Sequence, residues 1–249
     1  MIVLPNTKIN LGLNILRKRE DGYHDISSIF YPVKECVDIL EIVKSEKFEF
    51  TKSGIEIPEG ENLCEKAWKL IYNDFGIGNV KIHLHKQIPI GAGLGGGSAD
   101  ASFTLKALNE LFELKLTNIQ LEKYALQLGA DCPFFIDNNP KLVEGKGEKM
   151  SNIDLDLSGF EIRLINPEIY ISTKESYSVI TPKTPEISVE KIIQLPLKEW
   201  KHKLKNDFEI SVFSKYPQLE KMKEELYNDR AIYASMSGSG SVLFGIFNK

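Results

Sequence analysis

The chain is short of the residues that build disulfide frameworks and metal centres. Its 249 residues hold three cysteines, Cys36, Cys64 and Cys132, an odd set with no Cys-x-x-Cys spacing, and only four histidines. That arithmetic excludes a cysteine-stapled scaffold, and a structural zinc site wants tighter clustering. The thiols read as small half-buried hydrophobes in a reducing, cytoplasmic compartment. Long apolar runs are also missing: none nears the roughly 20 residues that span a bilayer. The opening stretch MIVLPNTKINLGLNI has neither the layout of a secretory signal nor the Arg and Ser bias of a transit peptide. Positive charge is not in excess, with 31 Lys and Arg against 35 Asp and Glu, a net charge of −4 that argues against a nucleic-acid partner. Internal repeats and low-complexity tracts are absent. What is there is a globular composition, 42% hydrophobic and 27% charged, sufficient for one large core or two modest ones.

Patterning outlines a mixed fold. KINLGLNI (8–15) alternates, with Ile9, Leu11, Leu13 and Ile15 on one face and Lys8, Asn10, Gly12 and Asn14 on the other. A turn at Asp21-Gly22 leads to the apolar run ISSIFYPV (26–33), and VDILEIV and KFEFTK read as further strands of an antiparallel sheet. Asn62 is placed to cap a helix that runs to Phe75 and stops at Gly76. VKIHLHK (80–86) alternates as a half-buried strand, and Thr117 with Gln120 marks a capping box for a helix ending at Gly129. FEIRLIN (160–166) and VLFGIF near the C-terminus read as strands, and a boundary near residue 150 divides the chain into 1–150 and 151–249. Interspersed helices and amphipathic strands give an α+β class with mostly antiparallel sheets.

Between the strand at 80–86 and a helical pattern reaching about Leu114 lies PIGAGLGGGSADAS (89–102), with glycines at 91, 93, 95, 96 and 97. Glycines against a helix start let backbone N–H groups approach an anion, with the helix dipole behind them. A Walker loop is out because no lysine follows Gly97. Gly91-x-Gly93-x-x-Gly96 fits the dinucleotide pattern, but the preceding strand alternates and a second helix, not a strand, follows. A protein-kinase glycine loop would want VAIK and HRD partners, which are absent. Elsewhere, Asp131 stands between LGA and CPFFI, where a buried carboxylate and a turn aspartate are both open readings. Lys8 on its own reads as a solvated lysine, and Ser98 and Asp100 could cap the helix as readily as touch a ligand.

PIGAGLGGGSADAS resembles the second motif of the GHMP kinase superfamily, in the form carried by its diphosphocytidyl-methylerythritol branch. PNTKINLGLNILRKREDGYHDISSIF (5–30) is similar to that branch's N-terminal segment, LGADCPFF (128–135) to its Leu-Gly-Ala-Asp element, and SMSGSGSVLFGIF (235–247) to the third superfamily motif. The resemblance covers the first domain well and the second thinly. It implies an N-terminal domain like the second domain of ribosomal protein S5, followed by a ferredoxin-like α/β domain. The implied activity is phosphoryl transfer from ATP, with Mg²⁺, to the 2-hydroxyl of a cytidine-diphosphate-linked polyol in isoprenoid-precursor synthesis. It assigns Lys8 and Asp131 to catalysis, as a charge partnership around the transferring phosphate. It assigns Pro89, Ile90, Gly91, Ala92, Gly93, Leu94, Gly95, Gly96, Gly97, Ser98 and Ala99 to ATP, and Asn10, Tyr23, His24, Thr173, Ser237 and Gly238 to substrate. Gly96 and Gly97 stand where many members carry serine, so no protein ligand for Mg²⁺ follows from the resemblance. A small-molecule substrate, no membrane partner, and a monomer or homodimer complete the expectation.

Overall fold

A computed structural model describes residues 1–177 and 180–249. Its strands are β1 (Ile2–Val3), β2 (Asn6–Lys18), β3 (His24–Val37), β4 (Ile39–Lys44), β5 (Glu49–Gly54), β6 (Val80–Lys86), β7 (Lys141–Gly145), β8 (Lys149–Asn152), β9 (Phe160–Ile165), β10 (Tyr233–Met236) and β11 (Leu243–Asn248). Its helices are α1 (Leu63–Phe75), α2 (Gly96–Leu111), α3 (Asn118–Leu128), α4 (Cys132–Asp137), α5 (Thr173–Tyr177), α6 (Val189–Ile192), α7 (Trp200–Lys203), α8 (Phe208–Lys215) and α9 (Pro217–Asn228). They form two compact units that interleave along the chain.

The first unit comprises Met1–Thr7, Pro32–Ile90 and Gly95–Asn139. Its sheet runs β1-β4-β6-β5. The period-2 pattern of VKIHLHK places Val80, Ile82 and Leu84 in the core, while His83 and His85 on the other face bond the Thr51 and Ser53 hydroxyls. Leu40 and Ile42 of β4 join Ile71 of α1, Leu105 and Leu108 of α2 and Leu121 of α3 in one apolar cluster. Capping sets the helix lengths. Asn62 Oδ1 accepts Cys64 N–H, the Glu65 carboxylate accepts Asn62 N–H, and Gly76 ends α1 in the left-handed region. Thr117 and Gln120 form the same box on α3. One sequence expectation is corrected: β5 lies parallel to β6, with Phe50 opposite Ile82, instead of antiparallel. The chain between them passes through α1, and a crossover helix returns a strand in the same direction.

The second unit comprises Lys8–Tyr31, Gly91–Leu94 and Pro140–Lys249. One sheet has the order β2-β3-β7-β8, with Ile29 opposite Leu142, and another the order β10-β11-β9, with Gly245 between Ala234 and Arg163. Leu13 and Ile15 of β2, Phe208 and Val212 of α8, Leu219 and Leu226 of α9, and Met236 and Leu243 share its core. The alternation of β2 is as the sequence predicts, yet both of its faces are covered: Ile9 and Leu11 are buried, and so are Lys8 and Asn10.

Candidate active site

Within the second unit, three separated stretches meet: the start of β2, residues 91–94 of the glycine loop, and the turn at 237–240. Lys8 is 3% exposed, and an ammonium so buried must be hydrogen-bonded to be tolerated. It donates to Asn10 Oδ1 and, at 3.1 Å, to the Gly93 carbonyl, and it sits 4.4 Å above the Phe30 ring. Asn10 is fixed in turn: its side-chain amide donates to Ser28 Oγ at 2.9 Å and its backbone N–H to Ser237 Oγ at 3.3 Å. Ser237 closes the circuit by donating to the Gly93 carbonyl at 2.9 Å. Gly93 is required there, because a Cβ built on it would lie 2.0 Å from the Ser237 carbonyl oxygen and its φ is +79°. Lys8, Asn10, Gly93 and Ser237, chosen from sequence, are one hydrogen-bonded cluster, and a lysine that looks solvated on a lone amphipathic strand is its centre.

Other candidates of this unit lie around it. Thr173, at the start of α5, has its hydroxyl 3.3 Å from Ser239 Oγ, which ties it to the 237–240 turn. The His24 ring stacks on Tyr177 with centroids 4.7 Å apart and planes within 19°. Burial, and then the charge of Lys18, hold the His24 imidazole below its ordinary pKa, so it is neutral at pH 7. Tyr23 is 61% exposed in the turn, with the Lys146 ammonium 4.8 Å over its ring. His24 and Tyr23 thus stand apart: one is packed on an aromatic neighbour, the other open to solvent.

The first unit holds the rest. Gly95 precedes α2 without any side chain to cap it, so the N–H groups of the first turn face outward from a 16-residue helix. A Cβ on Gly97 would meet only Leu63 at 3.9 Å, so nothing in the folded chain itself requires glycine at that exposed position. Ser98 lies inside the helix, not at its cap, and burial pushes the Cys132 thiol, at the start of α4, up to about 11. Asp131 immediately precedes that helix, half-buried, and its carboxylate does not cap it. The glycine-loop helix and the Asp131 segment are therefore neighbours in one unit.

One polar group escaped the sequence reading. Lys86 Nζ lies 2.5 Å from Asp38 Oδ2 and 2.6 Å from Asp100 Oδ2, all three side chains being almost fully buried. Asp38 Oδ1 also accepts the N–H groups of Gln87 and Ile88, which lead into the loop. A Cβ on Gly96 would stand 3.0 Å from Lys86 Nζ, so the triad underlies the first turn of α2. Asp100 is thus neither cap nor open ligand contact. Burial pushes its carboxyl up to about 7, while the two carboxylates hold the Lys86 ammonium above its ordinary range despite desolvation. The signal was present in VKIHLHK: Lys86 falls in register with Val80, Ile82 and Leu84 on the apolar face.

The family models for the GHMP kinases N-terminal domain and the GHMP kinases C-terminal region match residues 62–138 and 189–249. A 4-diphosphocytidyl-2-C-methyl-D-erythritol kinase of Bacteroides fragilis is 51% identical over 255 residues, covering all of this chain and 92% of the relative. A protein of the same name from Cytophaga hutchinsonii is 49% identical over 251 residues, with 100% and 93% covered. The crystal structure of a 4-(cytidine 5'-diphospho)-2C-methyl-D-erythritol kinase superposes with a TM-score of 0.86 at 32% identity, covering 99% of this chain and 90% of that one. A homoserine kinase from Cytophaga hutchinsonii, at 17% identity and a TM-score of 0.72 with 98% and 86% covered, shares the fold. By its matches to both family models and its full-length kinship to these enzymes, the chain belongs to the GHMP kinase family.

Proposed function

We propose that this chain is a small-molecule kinase that transfers the terminal phosphoryl group of ATP to the 2-hydroxyl of 4-diphosphocytidyl-2-C-methyl-D-erythritol, a step of isoprenoid-precursor synthesis. The observation that carries the chemistry is Lys8, a buried ammonium held at the glycine-loop carbonyl of Gly93. In this reading the ATP phosphates lie against the backbone of residues 89–99. The dipole and free N–H groups of α2 favour their charge, and the open flank of Gly97 leaves the approach clear. Lys8 offsets the negative charge that grows on the transferring phosphoryl oxygens, from a fixed position in a dry site. Asp131 accepts the hydrogen bond of the acceptor hydroxyl and receives its proton as the oxygen–phosphorus bond forms and the bond to the ADP oxygen breaks. Asn10, Ser237, Gly238 and Thr173 orient the acceptor, and His24 and Tyr23 read the cytosine by ring contact and edge hydrogen bonds.

Mg²⁺ neutralises phosphate charge in ATP chemistry. Among the described residues no group of three or more His, Cys, Asp or Glu could hold a metal ion, and no side chain is assigned as a ligand of the Mg²⁺. No described helix is long and apolar enough to cross a membrane. The enzyme is read as cytoplasmic, acting as a monomer or homodimer.

The test is ADP release in a coupled assay with the cytidylated polyol, homoserine and mevalonate as separate acceptors. Turnover is expected with the first only, and Asp131→Ala is expected to lose at least about 1,000-fold in kcat while remaining folded. Turnover on another acceptor alone would overturn the assignment, and undiminished turnover in Asp131→Ala would remove that residue's role.

A further inference from the structure

Asn206 belongs to none of the motifs above, yet it sits under the reacting cluster of the second unit. It is 2% exposed and lies in the link between α7 and α8. Its amide nitrogen donates twice, to the Met236 carbonyl at 2.7 Å and to the Gly238 carbonyl at 2.9 Å. Its amide oxygen accepts the Phe208 N–H at 3.0 Å, at the start of α8. The primary amide of asparagine provides two donors and an acceptor on one short side chain, and all are used here.

The two carbonyls it clasps flank Ser237. That residue is the hub of the cluster, donating through Oγ to Gly93 and accepting there from the Asn10 N–H. Lys8 donates to the same Gly93 carbonyl. The backbone beside Asn206 holds the opposite partner: Leu13 N–H donates to Lys205 at 2.9 Å, and Asp207 N–H donates to Leu13 at 2.8 Å. Residues 205–207 therefore fasten both the strand that carries Lys8 and Asn10 and the turn that carries Ser237 and Gly238.

We propose that Asn206 is a positioning residue for phosphoryl transfer: by clasping the carbonyls on either side of Ser237 it sets the Ser237–Gly93–Lys8 hydrogen bonds, and with them the place of the ammonium. The consequence for rate rests on the kinase reading; the clasp itself does not. Because buried groups in one network polarise and orient one another, loss of the clasp acts at Lys8 without touching substrate.

Asn206→Asp isolates the effect. It is nearly isosteric and keeps an oxygen for the Phe208 N–H, but loses both donors and turns a carboxylate oxygen toward two carbonyls. Its kcat is expected to fall on the order of 10- to 100-fold, with KM for ATP within about threefold of wild type. Amide exchange over residues 236–242 is expected to quicken by at least about tenfold, with exchange in β9 unchanged. Tyr227→Phe serves as the comparison. It removes the hydroxyl that bonds the Ala234 carbonyl and N–H, each at 3.1 Å, but leaves the clasp, so it should lower the unfolding midpoint and keep kcat within about threefold of wild type. Equal losses of kcat in both variants, or an Asn206→Asp enzyme with wild-type kcat per folded molecule, would overturn the proposal. The exchange measurement needs no substrate. An inactive wild-type chain would refute the kinase reading, whereas unchanged exchange in Asn206→Asp would refute the clasp.

Discussion

Replacing Asp100 by asparagine tests how the buried triad beneath α2 holds its charge. In the folded chain one ammonium faces two carboxylates at 2.5 and 2.6 Å, and Asp100 Oδ1 is buried with no hydrogen-bond partner. Burial is the larger influence on Asp100 and lifts it from 3.8 to about 7. A carboxyl whose folded pKa is raised binds its proton more tightly in the folded state. The stability it contributes is complete below the unfolded value and is lost as pH climbs through about 7. At about 1.4 kcal/mol per unit, the span corresponds to roughly 4 kcal/mol in full, of which about 2–3 kcal/mol falls between pH 5 and pH 7. Asparagine keeps the shape and an oxygen for Lys86 but does not titrate. At pH 5 its amide, with a buried N–H group unpaired, should cost about 1–2 kcal/mol. By pH 7.5 the variant should match or exceed wild type. Urea denaturation of both proteins at pH 5, 6, 7 and 8 reads the difference directly. A difference that stays constant within about 0.5 kcal/mol across that range would refute the assignment of the proton to Asp100.

Gly93→Ala and Gly97→Ala should part company. The first forces a methyl to 2.0 Å from the Ser237 carbonyl, and is expected to cut kcat at least about 100-fold. The second has open space, and should leave the unfolding midpoint unchanged while raising KM for ATP, read by steady-state kinetics over ATP concentration. His24→Ala should raise KM for the cytidylated substrate about tenfold through loss of ring contact. In the wild type that KM should be flat above pH 7 and rise on acidification, because burial keeps the imidazole neutral until the pH falls below its ordinary range. A wild-type KM indifferent to acid would disconnect His24 from cytosine.

Local signals were legible wherever a side chain and its own backbone decide the outcome. Asn62 and Gly76 bound α1 to the residue, and Thr117 with Gln120 did the same for the start of α3. The alternation of β2 and β6 was equally plain. What stayed hidden depends on partners far along the chain. Nothing within KFEFTK says that β5 will lie parallel to β6, since direction is fixed by α1 crossing between them. Lys8 looks solvated until β2 is covered on both faces. Asn206, in KLKNDFE, belongs to no motif, and its oxygen accepts the Phe208 N–H two residues on. Its two donors point to residues 30 and 32 positions ahead, which no local pattern encodes. The short helices between Thr173 and Lys203 carry too few turns to show a period.

The interleaved order of the two units has a consequence for synthesis on the ribosome. Lys8–Tyr31 belong with Pro140–Lys249, so the hairpin of β2 and β3 leaves the exit tunnel long before its sheet neighbour β7 exists. At ~5–20 residues per second, the roughly 110 intervening residues take about 5 to 20 seconds to make. Throughout that interval Ile9, Leu11, Ile15, Ile29 and Phe30, all buried in the finished fold, have no partner from the C-terminal half to cover them. The nascent chain therefore presents an apolar hairpin to its surroundings for as long as Pro140–Lys249 is still to be made.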